Sequence, residues 1–103
     1  MRRAARVDDN QAAIVRDLRK AGVSVLDLSS VGQGAPDLAC GFKGRTVLVE
    51  IKDGDKPPSA RKLTPQQVAF HNGWQGEAVV VKDIGEALGV FGIKYHNKQP
   101  PDD

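Results

Sequence analysis

The sequence predicts an α/β domain with the element order α-β-β-β-α-β-α. Three observations carry this. Apolar residues recur at helical spacing behind capping residues in three places, at Asp8, Thr64 and Asp83. Between the first two lies a hairpin signal, Phe42-Lys43-Gly44-Arg45, in which Gly44 supplies a positive φ at little cost. The strand leaving that turn, Val47-Leu48-Val49-Glu50-Ile51, is almost continuously apolar, as a central strand covered on both faces would be.

The elements follow in order. Asp8–Ala21 reads as a helix with Ile14, Val15 and Leu18 on its apolar face, an Asp8/Gln11 capping pair and Gly22 at C′. Val23–Leu28 is a strand, and Ser29–Ala35 a loop carrying Gly32 and Gly34. Pro36–Phe42 and Arg45–Asp53 form the hairpin, with Pro36 at a strand start, where a missing N–H costs least. Cys40 is expected to pack within the first of these strands. Asp53–Leu63 is turn-rich. Thr64-Pro65-Gln66-Gln67 then opens a helix, with Thr64 as N-cap and Gln67 at its third position. Gln67, Phe70, His71 and Trp74 share a face, which would make His71 a packed, hydrogen-bonded core residue. Glu77–Lys82 is a strand, and Asp83 caps a last helix with Ile84, Ala87, Leu88 and Phe91 inward. One domain over residues 8–93 is expected, with flexible ends at 1–7 and 94–103.

Composition excludes several classes. The chain has 103 residues, 40% hydrophobic and 27% charged, which suits one globular domain. No apolar run approaches the roughly 18–20 residues of a membrane span. The basic start leads into Val7-Asp8-Asp9-Asn10 rather than an apolar signal core, so an intracellular, cytoplasmic location is expected. A lone cysteine rules out an internal disulfide, and no Cys/His spacing suggests zinc. Gly32-Gln33-Gly34 lacks the Lys-Ser/Thr of a P-loop, so no nucleotide cofactor is expected. Net charge is only +2, but Lys52, Lys56, Arg61 and Lys62 cluster after the hairpin, and Lys43 and Arg45 mark its tip. A basic loop of this kind holds phosphates in some proteins and is a solvated surface in others.

The chemistry concentrates in Pro36-Asp37 and Glu50-Ile51-Lys52. In a two-residue hairpin the pairing of Phe42 with Arg45 carries through to Asp37 opposite Glu50, their Cβ atoms about 5 Å apart. Lys52 points to the same face as Glu50. Two adjacent carboxylates repel unless a cation sits between them. Mg²⁺ suits a few carboxylate oxygens, with Mn²⁺ as substitute, and the carbonyl of Ile51 offers a further ligand. Lys52 would then orient or deprotonate an attacking water, or stabilise charge on a phosphate. A solvated charged strand face and a buried Glu–Lys or Asp–Lys ion network are the structural alternatives. Gln11 and Gln67 have two readings each, as capping residues or as side chains reaching a site at strand ends.

Pro36-Asp37…Glu50-Ile51-Lys52, led by Gly34 and followed by Thr64-Pro65-Gln66-Gln67, resembles the PD-(D/E)XK nuclease superfamily, most closely its VRR-NUC branch with small stand-alone and phage-borne members. The resemblance runs from about Asp8 to Phe91. It implies a restriction-endonuclease-like core, a mixed sheet flanked by helices. It also implies Mg²⁺- or Mn²⁺-dependent hydrolysis of DNA by Asp37, Glu50 and Lys52, with Gln67 beside the site, and a homodimer acting on branched or nicked DNA. Gln11 departs from the pattern, because many members carry an acidic metal ligand there. An amide oxygen is a weaker ligand. Lys43, Arg45, Lys56, Arg61, Lys62 and Ser30 are the candidates for holding the nucleic acid. The alternative function is a DNA-binding module of the same fold that cuts poorly or not at all.

Overall fold

The computed structural model describes residues 10–95. Its elements are α1 (Gln11–Lys20), β1 (Ser24–Asp27), β2 (Leu38–Phe42), β3 (Arg45–Ile51), α2 (Pro65–Gly73), β4 (Ala78–Val81) and α3 (Ile84–Val90), with a short 3₁₀ turn at Pro58–Arg61. The expected α-β-β-β-α-β-α order is therefore present. The four strands form one mixed sheet in the order β1-β2-β3-β4, antiparallel except for the parallel β3–β4 pair. The reversal arises because β3 and β4 are joined through α2, and parallel neighbours need such a crossover.

The hairpin turn sets the register. Lys43 and Gly44 have φ of 51° and 80°, the pair of positive angles that a type I′ turn demands and that matches the twist of the flanking strands. Phe42 therefore pairs with Arg45, and the pairing runs without slip to Leu38 opposite Val49. One sheet face then presents Leu38, Cys40, Val47, Val49 and Ile51, all at 0–1% exposure. Ile14 and Leu18 of α1 and Ala87 and Leu88 of α3, with Phe91 just beyond α3, close over that face. Cys40 lies in this core, where burial pushes its thiol up to about 11.

Several boundaries differ from expectation. Asp8 lies outside the described residues, and α1 begins after Asn10, making Gln11 the first helical residue rather than the third. Asn10 does not cap with its side chain; its amide donates to the Lys82 carbonyl instead. α1 ends as predicted at Gly22, whose N–H and that of Val23 return to Arg19 and Leu18. β2 starts at Leu38 and β3 stops at Ile51, because Pro36 has no N–H to continue the ladder. His71 is not a core residue: no residue of α2 is buried, and Phe70 stacks on Trp74 at 5.2 Å while His71 meets the Phe70 ring edge-on. Among the described residues no helix is long and apolar enough to cross a membrane.

Candidate active site

Asp37 stands where β2 begins. Its carbonyl accepts the N–H of Leu28, and its carboxylate Oδ2 accepts the N–H of Ile51 at 2.8 Å. The geometry across to β3 follows from the hydrogen-bond parity of the sheet. Leu48 and Lys52 donate their N–H groups to Glu77 and Val81, so the even-numbered residues of β3 turn their backbone toward β4. Val47, Val49 and Ile51 therefore turn theirs toward β2. Two consequences follow. Asp37 and Glu50 fall at a position without ladder bonds between them, the kind at which Cα atoms approach to about 4.5 Å and side chains come closest. Ile51 falls opposite Pro36, which has no N–H to offer the Ile51 carbonyl.

Glu50 is 3% exposed, on the face opposite the apolar core. Gln67 reaches it from α2: Nε2 donates to Glu50 Oε2 at 3.1 Å. The Gln67 Oε1 accepts from Lys52 Nζ at 3.1 Å, and Lys52 Nζ stands 3.5 Å from the same Glu50 oxygen. The ammonium is thus held by a neutral amide and a buried carboxylate together. Gln67 also completes the capping box, accepting the Thr64 N–H at 2.9 Å while Thr64 Oγ1 accepts the Gln67 N–H. The two readings of Gln67, cap and site residue, are both realised by one side chain. Thr64 fixes the start of α2, and that start fixes where the amide reaches.

A cleft of about 240 Å³ opens over Asp37. Its wall is the turn Gly32–Ala35 on one side and Thr64, Gln66 and Gln67 on the other. Gln33 and Gln66 were not singled out by the sequence. Their signal was adjacency: one sits between two glycines of the loop, the other beside Gln67.

The remaining candidates divide by place. Arg61 shares a smaller cavity of about 180 Å³ with Lys52, Lys82 and Glu86, so the 3₁₀ turn brings a second cation beside the site. Lys56 is half-buried, Lys62 and Ser30 are exposed, and Ser30 does not line the cleft. Arg45 lies at the opposite end of β3 from Glu50, about 17 Å away at the rise of a strand, and Lys43 lies in the turn before it. Arg45 is engaged there by a two-pronged pair with Glu77, by the Val90 carbonyl and by the Phe91 ring. Gln11 is 4% exposed, and among the described residues its Oε1 has no hydrogen-bond partner. It lines a groove with Arg19 and Asp27 rather than the cleft over Asp37.

The donor chemistry fits a hard divalent cation. Asp37, Glu50 and the Ile51 carbonyl all offer oxygen atoms of the kind such a cation takes. Among the described residues no three His, Cys, Asp or Glu side chains gather at one point, so the protein would supply two carboxylates and leave further positions to carbonyls, solvent and substrate. Comparison with protein-family models, curated proteins and solved structures finds no match for this chain.

Proposed function

We propose that this chain is a metal-dependent nuclease that hydrolyses DNA phosphodiester bonds. One observation carries the reading: a single amide, Gln67, ties Lys52 to Glu50 on the sheet face, where the hairpin register also brings Asp37. A charge pair kept only for stability would need no third side chain reaching in from another element, nor an open cleft beside it. Asp37, Glu50 and the Ile51 carbonyl would hold Mg²⁺ or Mn²⁺, without Gln11, which lines a separate groove. The bound cation would supply Lewis-acid polarisation of the scissile phosphate and a lowered pKa for water.

The chain's own groups account for the rest. Lys52 places a positive charge where negative charge develops on the phosphate, and its 14% side-chain exposure strengthens that charge's effect. Held by Gln67 Oε1, the ammonium keeps one direction and can orient the attacking water or take part in its proton transfer. Asp37 is held by the Ile51 N–H, so its carboxylate is oriented before any ligand arrives. Arg61, Lys56 and Lys62 hold the flanking phosphates. The resemblance to VRR-NUC proteins supports the finer reading of a homodimer with two clefts for two strands of a branched DNA.

The test is cleavage of labelled linear, flap and four-way-junction DNA with Mg²⁺, with Mn²⁺ and with EDTA, alongside Asp37→Asn. Metal-dependent products that vanish in Asp37→Asn are expected, and the preferred substrate names the activity. DNA binding with no product under any condition would replace this reading with a non-cutting DNA-binding module.

A further inference from the structure

Gly34 sits in an unusual place. It lies at φ +81° in the turn Gly32–Ala35, closed by the Ala35 N–H donating to the Gly32 carbonyl. A Cβ built on Gly34 would stand 2.3 Å from the backbone oxygen of Gln66, 2.6 Å from its carbonyl carbon and 3.1 Å from the Gln67 nitrogen. The obstacle is backbone on the first turn of α2, which cannot swing aside as a side-chain end would. The turn and the helix start are therefore pressed together through a hydrogen atom. The next residue along is Gln67, whose amide joins Glu50 to Lys52. α2 has no buried residue to hold it elsewhere.

We infer that Gly34 is a positioning residue for the site: by letting the Gly32–Ala35 turn seat directly on the first turn of α2, it sets the reach of Gln67 to Glu50 and Lys52. The inference rests on the nuclease reading for its catalytic consequence, but not for its structural one. A side chain at Gly34 pushes the start of α2 off the turn. The Gln67 amide, already at 3.1 Å from both partners, then loses one or both, and Lys52 loses its direction. Misplacement on the order of 1 Å at such a distance costs about 100-fold in rate.

Gly32 provides the matched comparison. Its φ is +79°, yet a Cβ there meets nothing within 4 Å. Gly32→Ala therefore introduces the same backbone strain without the collision. The experiment compares Gly34→Ala, Gly32→Ala, Gln67→Ala and the Gly34→Ala/Gln67→Ala double variant by two readouts. One is kcat and KM on the DNA that the wild type cuts. The other is the NMR shift of the Gln67 side-chain amide, which needs no activity.

Gly34→Ala should lower kcat about 100-fold with KM nearly unchanged and should move the Gln67 amide signal. Gly32→Ala should leave the Gln67 amide signal in place, because its Cβ touches nothing. In the double variant Gly34→Ala should add nothing to Gln67→Ala, because one acts through the other. Additive losses, or a Gln67 signal unmoved by Gly34→Ala, overturn the inference. Should Gly34→Ala not fold, one glycine inserted between Gly32 and Gln33 loosens the exposed turn instead. A wild-type Gln67 signal and rate after that insertion overturn the inference equally. A wild type that cuts no DNA defeats the nuclease reading alone, and the amide signal still decides the role of Gly34.

Discussion

The two faces of the sheet are built on opposite terms. On one, Leu38, Cys40, Val47, Val49 and Ile51 are sealed under α1 and α3. On the other, Glu50 is buried among polar partners, α2 has no buried residue, and Leu26 and Val80 remain 61% and 43% exposed. Alternation along one strand produces both: Val49 and Ile51 point to the dry face, Glu50 between them to the polar one. The dry face carries the stability, through burial at about 25 cal/mol per Å². The polar face contributes little net, since moving a charge pair out of water offsets most of its attraction. Its arrangement makes sense as a site rather than as a brace.

The comparison is broken or sharpened most by Lys52→Ala. Under the proposed nuclease reading, removal of this charge should lower the cleavage rate on the order of 10²–10⁴-fold. Thermal melting should move little beside that loss. A Lys52→Ala protein that cuts DNA at the wild-type rate would remove the assigned role. Leu38→Ala is the mirror experiment on the dry face. Leu38 is fully buried, so denaturant unfolding should show a loss of about 2–5 kcal/mol, while the folded fraction keeps its rate per molecule.

Thr64→Ala tests the joint between the two faces. It removes one half of the capping box and should cost about 1 kcal/mol in chemical denaturation. It should also weaken cleavage more than a remote cap would, because the start of α2 aims Gln67. Equal effects of Thr64→Ala and Asp83→Ala on cleavage would separate the cap from the site. Asp83 caps α3 through the Glu86 N–H, on the dry side.

Cys40 gives a pH signature of the dry face. Burial raises its thiol to about 11. The folded state thus favours the protonated thiol. Its contribution is fully present below the ordinary thiol range and is lost as pH rises toward 11. Thiol reagents at neutral pH should therefore label Cys40 at the rate of unfolding, and fast labelling of the native protein would contradict the sealed face. The smallest effect is expected of Arg45→Ala. Its pair with Glu77 is exposed, so melting should fall slightly, and less at high salt than at low salt. DNA affinity should stay as in the wild type, because Arg45 lies at the far end of β3. A clear loss of affinity would extend the proposed nucleic-acid surface to the hairpin tip.

Local rules determined much of this protein from sequence alone. Lys43-Gly44 fixed the turn, the turn fixed the register through Leu38 opposite Val49, and the register brought Asp37 to the Glu50–Ile51 end of β3, because strand pairing has no slack once one pair is set. Thr64-Pro65-Gln66-Gln67 and Asp83 likewise declared their helix starts through short-range capping chemistry. What the tertiary structure decided lies between elements. It turned Asn10 to the Lys82 carbonyl instead of a helix cap, and left His71 on a lightly packed helix, with Trp74 just past its end, rather than in the core. It also closed Gln67 onto Lys52 and Glu50, and set Gly34 against Gln66. Those contacts depend on how a helix sits over a sheet, which is fixed by packing of residues far apart in the chain and leaves no periodic mark in the sequence.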